Sequence, residues 1–375
     1  MYNKICRLLF IVTLLFNAHG KSVLLASSDQ VQAESHAVSH ENESQAEETK
    51  AFEPGDFLFD HVKDAHDWHL FSTAHKHITI PLPVILYSNT KGLNVFMSSK
   101  FEHGHATYKG FRLETEGEKK NKIFEENGTM PLDLSITKNV AAMFFGLILL
   151  FWVFLSIGKA YRENPLSPPK GLQSLFEPVI VFLRDEIIKP SIGPKYERYM
   201  PFLLTIFFFI LFNNILGLVP FPPGGANLTG NIAVTMVLAL FTFVITTFSG
   251  NRNYWQHIFN TPGVPVWLKL PIPLMPFVET LGVFTKPLVL MIRLFANITA
   301  GHFIVLGFIS LIYIFAQMSP GLAYGVSLVS IAFNVFMTFL ELLVAFIQAF
   351  VFTFLSAIYF GMAVEEHHHE VNEHA

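Results

Sequence analysis

Five long apolar stretches restrict what the region after residue 137 can fold into. Residues 138–363 contain only 19 charged residues, whereas soluble domains contain about 25% charged residues. The apolar stretches are 140–157, 201–219, 232–248, 287–317 and 326–362. The first three are long enough to cross a hydrocarbon core of about 30 Å, and the last two would measure about 46 and 55 Å as helices. We therefore predict a mainly α-helical, polytopic membrane domain over 138–364, with five spans that include a long, steeply tilted helical hairpin.

The amino terminus has the layout of a secretory signal peptide. Lys4 and Arg7 precede the short apolar run from Leu8 to Phe16, and small residues follow it. The run is too short for an ordinary transmembrane helix, so we assign residues 1–27 to a signal peptide. An uncleaved first anchor is the alternative. If cleavage occurs, the mature chain lacks cysteine, because Cys6 is the only one in the sequence.

A polar segment and a small module follow the signal peptide. Residues 28–51 are rich in Ser, Glu, Gln and His, and such a composition favours a flexible tether. Residues 52–137 contain β-branched and aromatic stretches on either side of a turn signal at Ser88–Gly92. We expect an exported module that contains β-strands there. Its histidine pairs raise a metal site as one hypothesis, but their spacing is not typical of zinc sites, so we predict no metal and interpret them as solvated surface.

The distribution of Lys and Arg predicts the orientation in the membrane. Seven Lys and Arg residues occur between Lys159 and Arg198, and three more occur in 250–286, whereas 221–230 and 318–325 contain none. The positive-inside rule places the basic loops in the cytoplasm. This topology puts the amino-terminal module outside, in agreement with a signal peptide, and the tail 365–375 inside. No basic stripe or RNA-type motif indicates nucleic-acid binding.

Four polar side chains within the last two spans need an explanation: Arg293, His302, Glu341 and Gln348. An arginine at a helix centre costs about 2.5–3.5 kcal/mol on insertion scales. If the two long helices form an antiparallel hairpin around Ser319–Gly321, His302 faces Glu341, and the same turn centre brings Arg293 opposite Gln348. A titratable pair near a fixed positive charge is typical of a proton path. A structural ion pair that joins the helices is the alternative.

These residues also form a motif. Residues 285–287 read TKP and residues 291–302 read MIRLFANITAGH. Together with 341–352, 214–220 and 227–231, in this order and spacing, they resemble subunit a of F-type ATP synthases. The resemblance covers about 139–367 and does not extend to the exported module.

The resemblance implies a role for each matching residue. Arg293 corresponds to the channel arginine that faces a ring of c subunits, with Gln348 and Asn297 in support. A proton path on the exported side is implied for His302, Glu341, Asn214, Asn227 and Asn231, and one on the cytoplasmic side for Glu279 and Lys286. Many members have Glu first and His second, so this chain exchanges the partners at 302 and 341, and which of the two accepts the proton stays open. Gly217 departs from members that have an acidic residue there.

The implied function is that of the proton-channel subunit of a rotary ATP synthase in a bacterial inner membrane. Its partners would be the c ring, the b stator and the lipid bilayer, and no cofactor is expected. The sequence has no phosphate-binding G-x-x-x-x-G-K-[ST] loop, so nucleotide chemistry would lie in other subunits. The alternatives are an ion-coupled secondary transporter, for which no internal repeat is visible, and a membrane scaffold.

Overall fold

A computed structural model describes most of the chain. The described residues are Gly55, Leu58, 63–73, 76–104, 106–115, 120–163, 165–166, 168–219, 222, 224–259 and 274–365. The predicted signal peptide (1–27) and tether (28–51) and most of the tail lie outside them. The bounds of the predicted exported module, 52–137, therefore stay a prediction.

Helices dominate the described residues after 137. They are α1 (Lys138–Glu163), α2 (Leu172–Phe182), α3 (Lys189–Ile192), α4 (Tyr196–Leu218), α5 (Ile232–Ser249), α6 (Arg252–Phe259), α7 (Leu274–Met318) and α8 (Pro320–Val364). Five helical segments are long and apolar enough to cross a membrane: 138–163, 172–218, 232–249, 275–318 and 321–364. The predicted polytopic helical fold is confirmed.

The second span is longer at its amino end than the apolar stretch 201–219 predicted. A π-helical turn at Leu183–Ile188 joins α2 to α3, and a 3₁₀ turn at Gly193–Lys195 joins α3 to α4. Gly193 has a φ of 74°, a left-handed conformation that glycine adopts without strain. Leu172–Leu218 thus forms one helical run that only these turns interrupt.

The hairpin helices α7 and α8 are each 45 residues long, and only Ser319 separates them. Both begin before the apolar stretches from which they were predicted. Pro276 lies in the first turn of α7, where its missing N–H group has no intrahelical partner to lose. The helix therefore continues through Glu279.

The strands are β1 (Asp67–Thr73), β2 (Lys76–Pro81), β3 (Pro83–Ser88), β4 (Gly92–Met97), β5 (Phe111–Leu113), β6 (Ile123–Glu125) and β7 (Leu132–Asp133). β1 pairs with β2, β5 pairs with β6, and β3 lies between β4 and β7 in an antiparallel sheet. The turn between β3 and β4 is the predicted one at Ser88–Gly92. Strands in the amino-terminal region are therefore confirmed.

The described residues group into two compact units. One comprises Ile80–Thr137 and Phe303–Val335, together with the residues up to Asp67, and the other comprises Trp68–Thr79, Lys138–His302 and the residues from Phe336 onwards. In the first unit, β3–β7 enclose a core that includes Val84, Leu86, Phe96, Phe101 and Phe111.

The core of the second unit lies where α7 and α8 meet the segment from α2 to α4. It includes Leu203, Phe207, Leu294, Phe352 and Phe360. α8 approaches the backbone of α3 closely, since a Cβ atom at Gly361 would collide with the carbonyl oxygen of Ser191. A glycine at this position is therefore required by packing.

We predict that Gly361→Ala destabilises the folded protein by about 1–3 kcal/mol, because the added methyl group overpacks the contact between α8 and α3. Gly325→Ala on the same helix is the matched control, since nothing lies within 4 Å of a Cβ atom there. Thermal denaturation of the purified chain in detergent measures both. Equal melting temperatures for the two variants would contradict the close approach.

We also predict acid sensitivity in the first unit. Glu125 is buried, and the hydroxyl groups of Ser88, Thr90 and Thr129 donate hydrogen bonds to its carboxylate. These bonds, with a smaller effect of Lys91, hold the pKa of Glu125 below its usual value against the opposing effect of burial. Because the folded-state pKa is depressed, this stabilisation is complete above the unfolded-state pKa and is lost as the pH falls through the folded-state value.

Hydrogen exchange of the β3, β4 and β6 amides in the full chain, corrected for the intrinsic rate, should therefore accelerate below about pH 4. Glu125→Gln should exchange faster at neutral pH and lose most of that pH dependence. An unchanged pH dependence in this variant would contradict the assignment to Glu125.

Candidate functional site

A buried titratable pair joins α7 and α8 within the second unit. The Nδ1 atom of His302 lies 2.5 Å from Oε1 of Glu341. The side chain of His302 is 18% exposed and that of Glu341 is 7% exposed. The pairing predicted from the common turn centre is therefore confirmed. Since both groups can exchange protons and some solvent reaches the imidazole, the pair can pass a proton between them.

The backbone of α7 is close to the carboxylate of this pair. A Cβ atom at Gly301 would lie 3.0 Å from Oε1 of Glu341 and 3.2 Å from its Cδ. Glycine at this position therefore lets the carboxylate pack against α7 beside His302. A larger residue at 301 would displace the carboxylate from the imidazole.

A second polar pair joins the helices five residues before His302 on α7 and seven residues after Glu341 on α8. The side-chain amide nitrogen of Asn297 donates a hydrogen bond of 2.8 Å to Oε1 of Gln348. Gln348 is buried and Asn297 is exposed. The predicted pairing of Gln348 with Arg293 is therefore wrong by one helical turn, because α7 directs Asn297 and not Arg293 towards the buried glutamine.

Arg293 lies on the exposed face of α7. Its neighbours Leu290 and Leu294 are buried in the core, whereas Val289 and Ile292 are exposed. Among the described residues, Arg293 makes no ion pair or hydrogen bond, and its electrostatic neighbour is Tyr359 of α8. The guanidinium group thus lies on a lipid-length helix without a carboxylate partner in the described part of this chain, one turn from the Asn297–Gln348 pair.

Exposed apolar side chains occur on both hairpin helices of the second unit. They are Leu288, Val289 and Ile292, close to Arg293 along α7, and Leu342, Leu343, Phe346 and Ile347 on α8. We call this set together with Arg293 the arginine face. It has the composition of helix surfaces that pack against other apolar helices, with a single cation.

A third polar cluster links α4, α8 and the loop before α5. Oδ1 of Asn214 accepts a hydrogen bond of 2.6 Å from the hydroxyl group of Thr229, and its amide nitrogen donates to the carbonyl oxygen of Ala345 over 3.3 Å. Ala345 lies one turn from Glu341 on α8. Asn214 therefore lies between the loop and the helix that supplies Glu341.

The other two predicted asparagines bond to the local backbone. Oδ1 of Asn231 caps the amino end of α5 by accepting from the amide of Ala233, and Oδ1 of Asn227 accepts from the amide of Gly230. Both shape the loop that holds Thr229. The side-chain amide nitrogen of Asn227 is buried and has no hydrogen-bond partner within the part of the chain that the structure describes. Gly217 lies at the same loop, where a Cβ atom would be 3.3 Å from the carbonyl oxygen of Ala226, so a larger acidic residue would not fit without a shift.

The other end of α7 borders a cavity of about 290 Å³. Glu279 and Lys286, both predicted from the sequence, line it together with Asn253, Tyr254, His257 and Glu365. Burial, and to a lesser degree the charge of Glu279, raise the pKa of the Tyr254 phenol. Sequence reasoning missed His257 and Glu365. His257 lies after the third apolar stretch and Glu365 after the fifth. Only the approach of α6 to the ends of α7 and α8 shows their relation to Glu279.

Lys286 also contacts α8. Its ammonium group lies 5.7 Å from the centre of the Tyr359 ring, a cation–π distance, and 3.9 Å from the sulfur of Met362. The cavity therefore holds one ammonium group and two carboxylates from different parts of the chain. Among the described residues, no group of three or more His, Cys, Asp or Glu side chains has the geometry of a metal site.

Comparison with known proteins decides the family. Residues 140–361 match the sequence model described as ATP synthase A chain. The chain belongs to this family. A protein named ATP synthase subunit a from Chloroherpeton thalassium is 41% identical over 251 residues, which cover 65% of this chain and 71% of that protein. The relative named ATP synthase subunit a from Myxococcus xanthus is 43% identical over 251 residues, 65% of this chain and 78% of its own length.

The matched region contains every residue of the two polar pairs, of the third polar cluster and of the arginine face. The family proteins are membrane components of ATP synthase, so the resemblance stated from the sequence is confirmed. Residues 57–141 match a separate domain of unknown function. The bounds of this second match are close to those of the predicted exported module, 52–137, and the match assigns the module no role.

The His302–Glu341 contact predicts strong coupling between the two positions. His302→Glu alone would bring two carboxylates together, and Glu341→His alone would bring two imidazoles together, so both should lose most ATP-driven proton pumping. The double variant restores one of each, and we expect it to pump better than either single variant. Proton uptake by inverted vesicles, normalised to the amount of assembled complex, measures the three. Additive losses in the double variant would contradict direct coupling.

Proposed function

We propose that this chain is the proton-conducting stator subunit of a rotary F-type ATP synthase, and that it supplies two half-channels to a ring of c subunits. The observation that carries the proposal is the isolated cation Arg293 on an apolar, exposed helix face, one turn from a polar pair and within a membrane-length hairpin. The chain's own role includes no nucleotide chemistry.

Electrostatics explains why a cation at this position is useful. A carboxylate on a ring helix can face lipid only when it is protonated, since burial of the ionised form is costly. When the ring brings such a carboxyl group beside Arg293, the guanidinium group favours its ionised form and promotes proton release. The same positive charge repels protons that would pass directly between the half-channels.

The polar clusters support an exported-side half-channel. The loop with Asn227, Thr229 and Asn231 contacts Asn214, which bonds to α8 one turn from Glu341. His302 completes this series on α7, about 14 Å along the helix from Arg293. We assign proton delivery to His302 and Glu341, positioning to Asn214, and the shape of the entrance to Asn227 and Asn231. Asn297 and Gln348 hold the two helices together beside Arg293.

The cavity at the other end of α7 supports the cytoplasmic half-channel. Glu279, Lys286 and Arg293 follow one another at intervals of 7 residues. This spacing keeps the three residues near one helix face. His257 and Glu365 add titratable groups at the same cavity. We assign proton exchange with the cytoplasm to this group.

The orientation follows from the distribution of basic residues. We propose a bacterial inner membrane location with the amino terminus in the periplasm after removal of residues 1–27, and with the carboxyl terminus in the cytoplasm. The c ring would contact the arginine face, and a b-type stator would hold the chain against rotation. We do not retain the secondary transporter as an alternative, because the chain belongs to the ATP synthase A chain family.

Arg293→Ala is expected to abolish ATP-driven acidification of inverted membrane vesicles, because neither ionisation beside the ring nor the barrier between the half-channels survives without the charge. An immunoblot of purified complex checks that the chain and subunit c remain assembled. Phe248→Ala, at an exposed position of α5, is the control and should pump normally. Normal pumping by an assembled Arg293→Ala complex would overturn the proposed role.

Glu279→Gln is expected to slow proton pumping without abolishing it, because His257 and Glu365 still line the cavity. The combined variant Glu279→Gln and Glu365→Gln should be slower than either single variant. The rate of acidification at saturating ATP, compared with the ATPase rate of the same membranes, measures the effect. Unaltered pumping in the combined variant would exclude this cavity as the exit path.

A further inference from the structure

The sheet formed by β4, β3 and β7 is apolar on its outer face as well as in its core. In register, Leu93 lies beside Tyr87, and Tyr87 beside Leu132. The next row consists of Val95, Ile85 and Leu134, and the last of Met97, Pro83 and Ile136, because the amides of Leu134 and Ile136 donate to the carbonyl oxygens of Ile85 and Pro83. We call these nine side chains the outer grid.

Six of the nine side chains of the outer grid are exposed, and those of Pro83, Ile85 and Ile136 are half-buried. The exposed fractions are 65% for Leu93, 57% for Val95 and 47% for Tyr87. On the opposite side of the same strands, Val84, Leu86 and Phe96 are buried in the core of the unit. Contiguous apolar patches of this kind are uncommon on soluble proteins and indicate an interaction surface.

The chemistry of the outer grid favours lipid as the occupant. Protein interfaces contain about one hydrogen bond per 100–200 Å². The side chains of the outer grid offer one hydrogen-bonding group in nine residues, the hydroxyl group of Tyr87. Tyrosine is enriched where membrane hydrocarbon meets water, because its ring is apolar and its hydroxyl group remains hydrated.

Chain continuity supports the same occupant. The outer grid ends at Ile136, and the membrane-length helix α1 begins at Lys138. Covalent geometry keeps the Cα atoms of these two residues within about 8 Å of each other. α1 exposes Ile148, Phe151, Trp152 and Leu155, as a lipid-facing helix does. A single residue, Thr137, thus separates the grid from a helix of membrane-spanning length.

We propose that the outer grid lies on the membrane leaflet next to the amino end of α1, with its aliphatic side chains among the lipid headgroups and upper acyl chains. This contact with lipid anchors the β sheet at the membrane surface. The proposal depends only on α1 as a transmembrane helix and is independent of the function of Arg293.

The test is spin-label accessibility in the assembled complex, reconstituted in phosphatidylcholine and phosphatidylglycerol vesicles. Cys6→Ser removes the one native cysteine. A nitroxide is then attached at Val95→Cys or, in a second variant, at Leu134→Cys. Glu126→Cys, at an exposed polar position of the same unit, is the matched control. Oxygen, which concentrates in lipid, and a water-soluble nickel complex are the two collision probes.

We expect collisions with oxygen to exceed those with the nickel complex at 95 and 134, and the reverse at 126. Greater access to nickel than to oxygen at both grid positions would mean that the face is in water and would overturn the proposal. Low access to both probes there would mean that another protein covers the face, which also overturns it. The mobility of the label at 126 shows in each case that the unit is folded.

Discussion

Polar pairing between two long apolar helices is the interaction on which the rest of the membrane unit depends. In lipid there is no hydrophobic force to hold α7 against α8, so packing and hydrogen bonds must do so, at about 0.6 kcal/mol for an average interhelical hydrogen bond. The two pairs, His302–Glu341 and Asn297–Gln348, fix the register of the helices. This register brings Leu294 and Phe352 into one core and leaves Arg293 on the outside.

The position of Arg293 is a consequence of that register and has an energetic cost. An arginine within a membrane span costs about 2.5–3.5 kcal/mol on insertion scales, and more on others. Asn297 and Gln348 nearby bond to each other, and neither bonds to Arg293 in the described structure. In the proposed function, a carboxylate of another subunit that approaches the arginine face would offset this cost. A transient partner is what a rotating ring provides, whereas a permanent partner within the chain would neutralise the charge.

Sequence reasoning predicted the features that follow from length, period and turn position. The hairpin turn near Ser319 and the antiparallel register were enough to predict the His302–Glu341 contact. They were not enough for Gln348, because the choice between Arg293 and Asn297 depends on a rotation of α7 by less than one turn. The packing of Leu290 and Leu294 into the core sets the direction of the α7 side chains, and no pattern in the sequence reports it.

Other features depended on contacts between distant segments. Asparagines at 227 and 231 match the family motif, yet their side chains hold local backbone. Of the three asparagines predicted for the exported side, Asn214 is the one whose hydrogen bonds in the described structure reach another helix. The cavity near Glu279 forms where α6 meets the ends of α7 and α8, so His257 and Glu365 carried no sequence signal. The early start of α7 was missed for a related reason: charged residues end an apolar stretch, but they do not end a helix whose terminus reaches water.

The most direct test of the central claim is disulfide formation between the arginine face and subunit c in native membranes. With Cys6 replaced by serine, a cysteine at Val289 or Phe346 should cross-link on oxidation to a cysteine placed one turn from the ring carboxylate. A cysteine at Phe151, on the exposed surface of α1, should not. Cross-links from Phe151 and none from Val289 or Phe346 would contradict the assignment of this face to the ring.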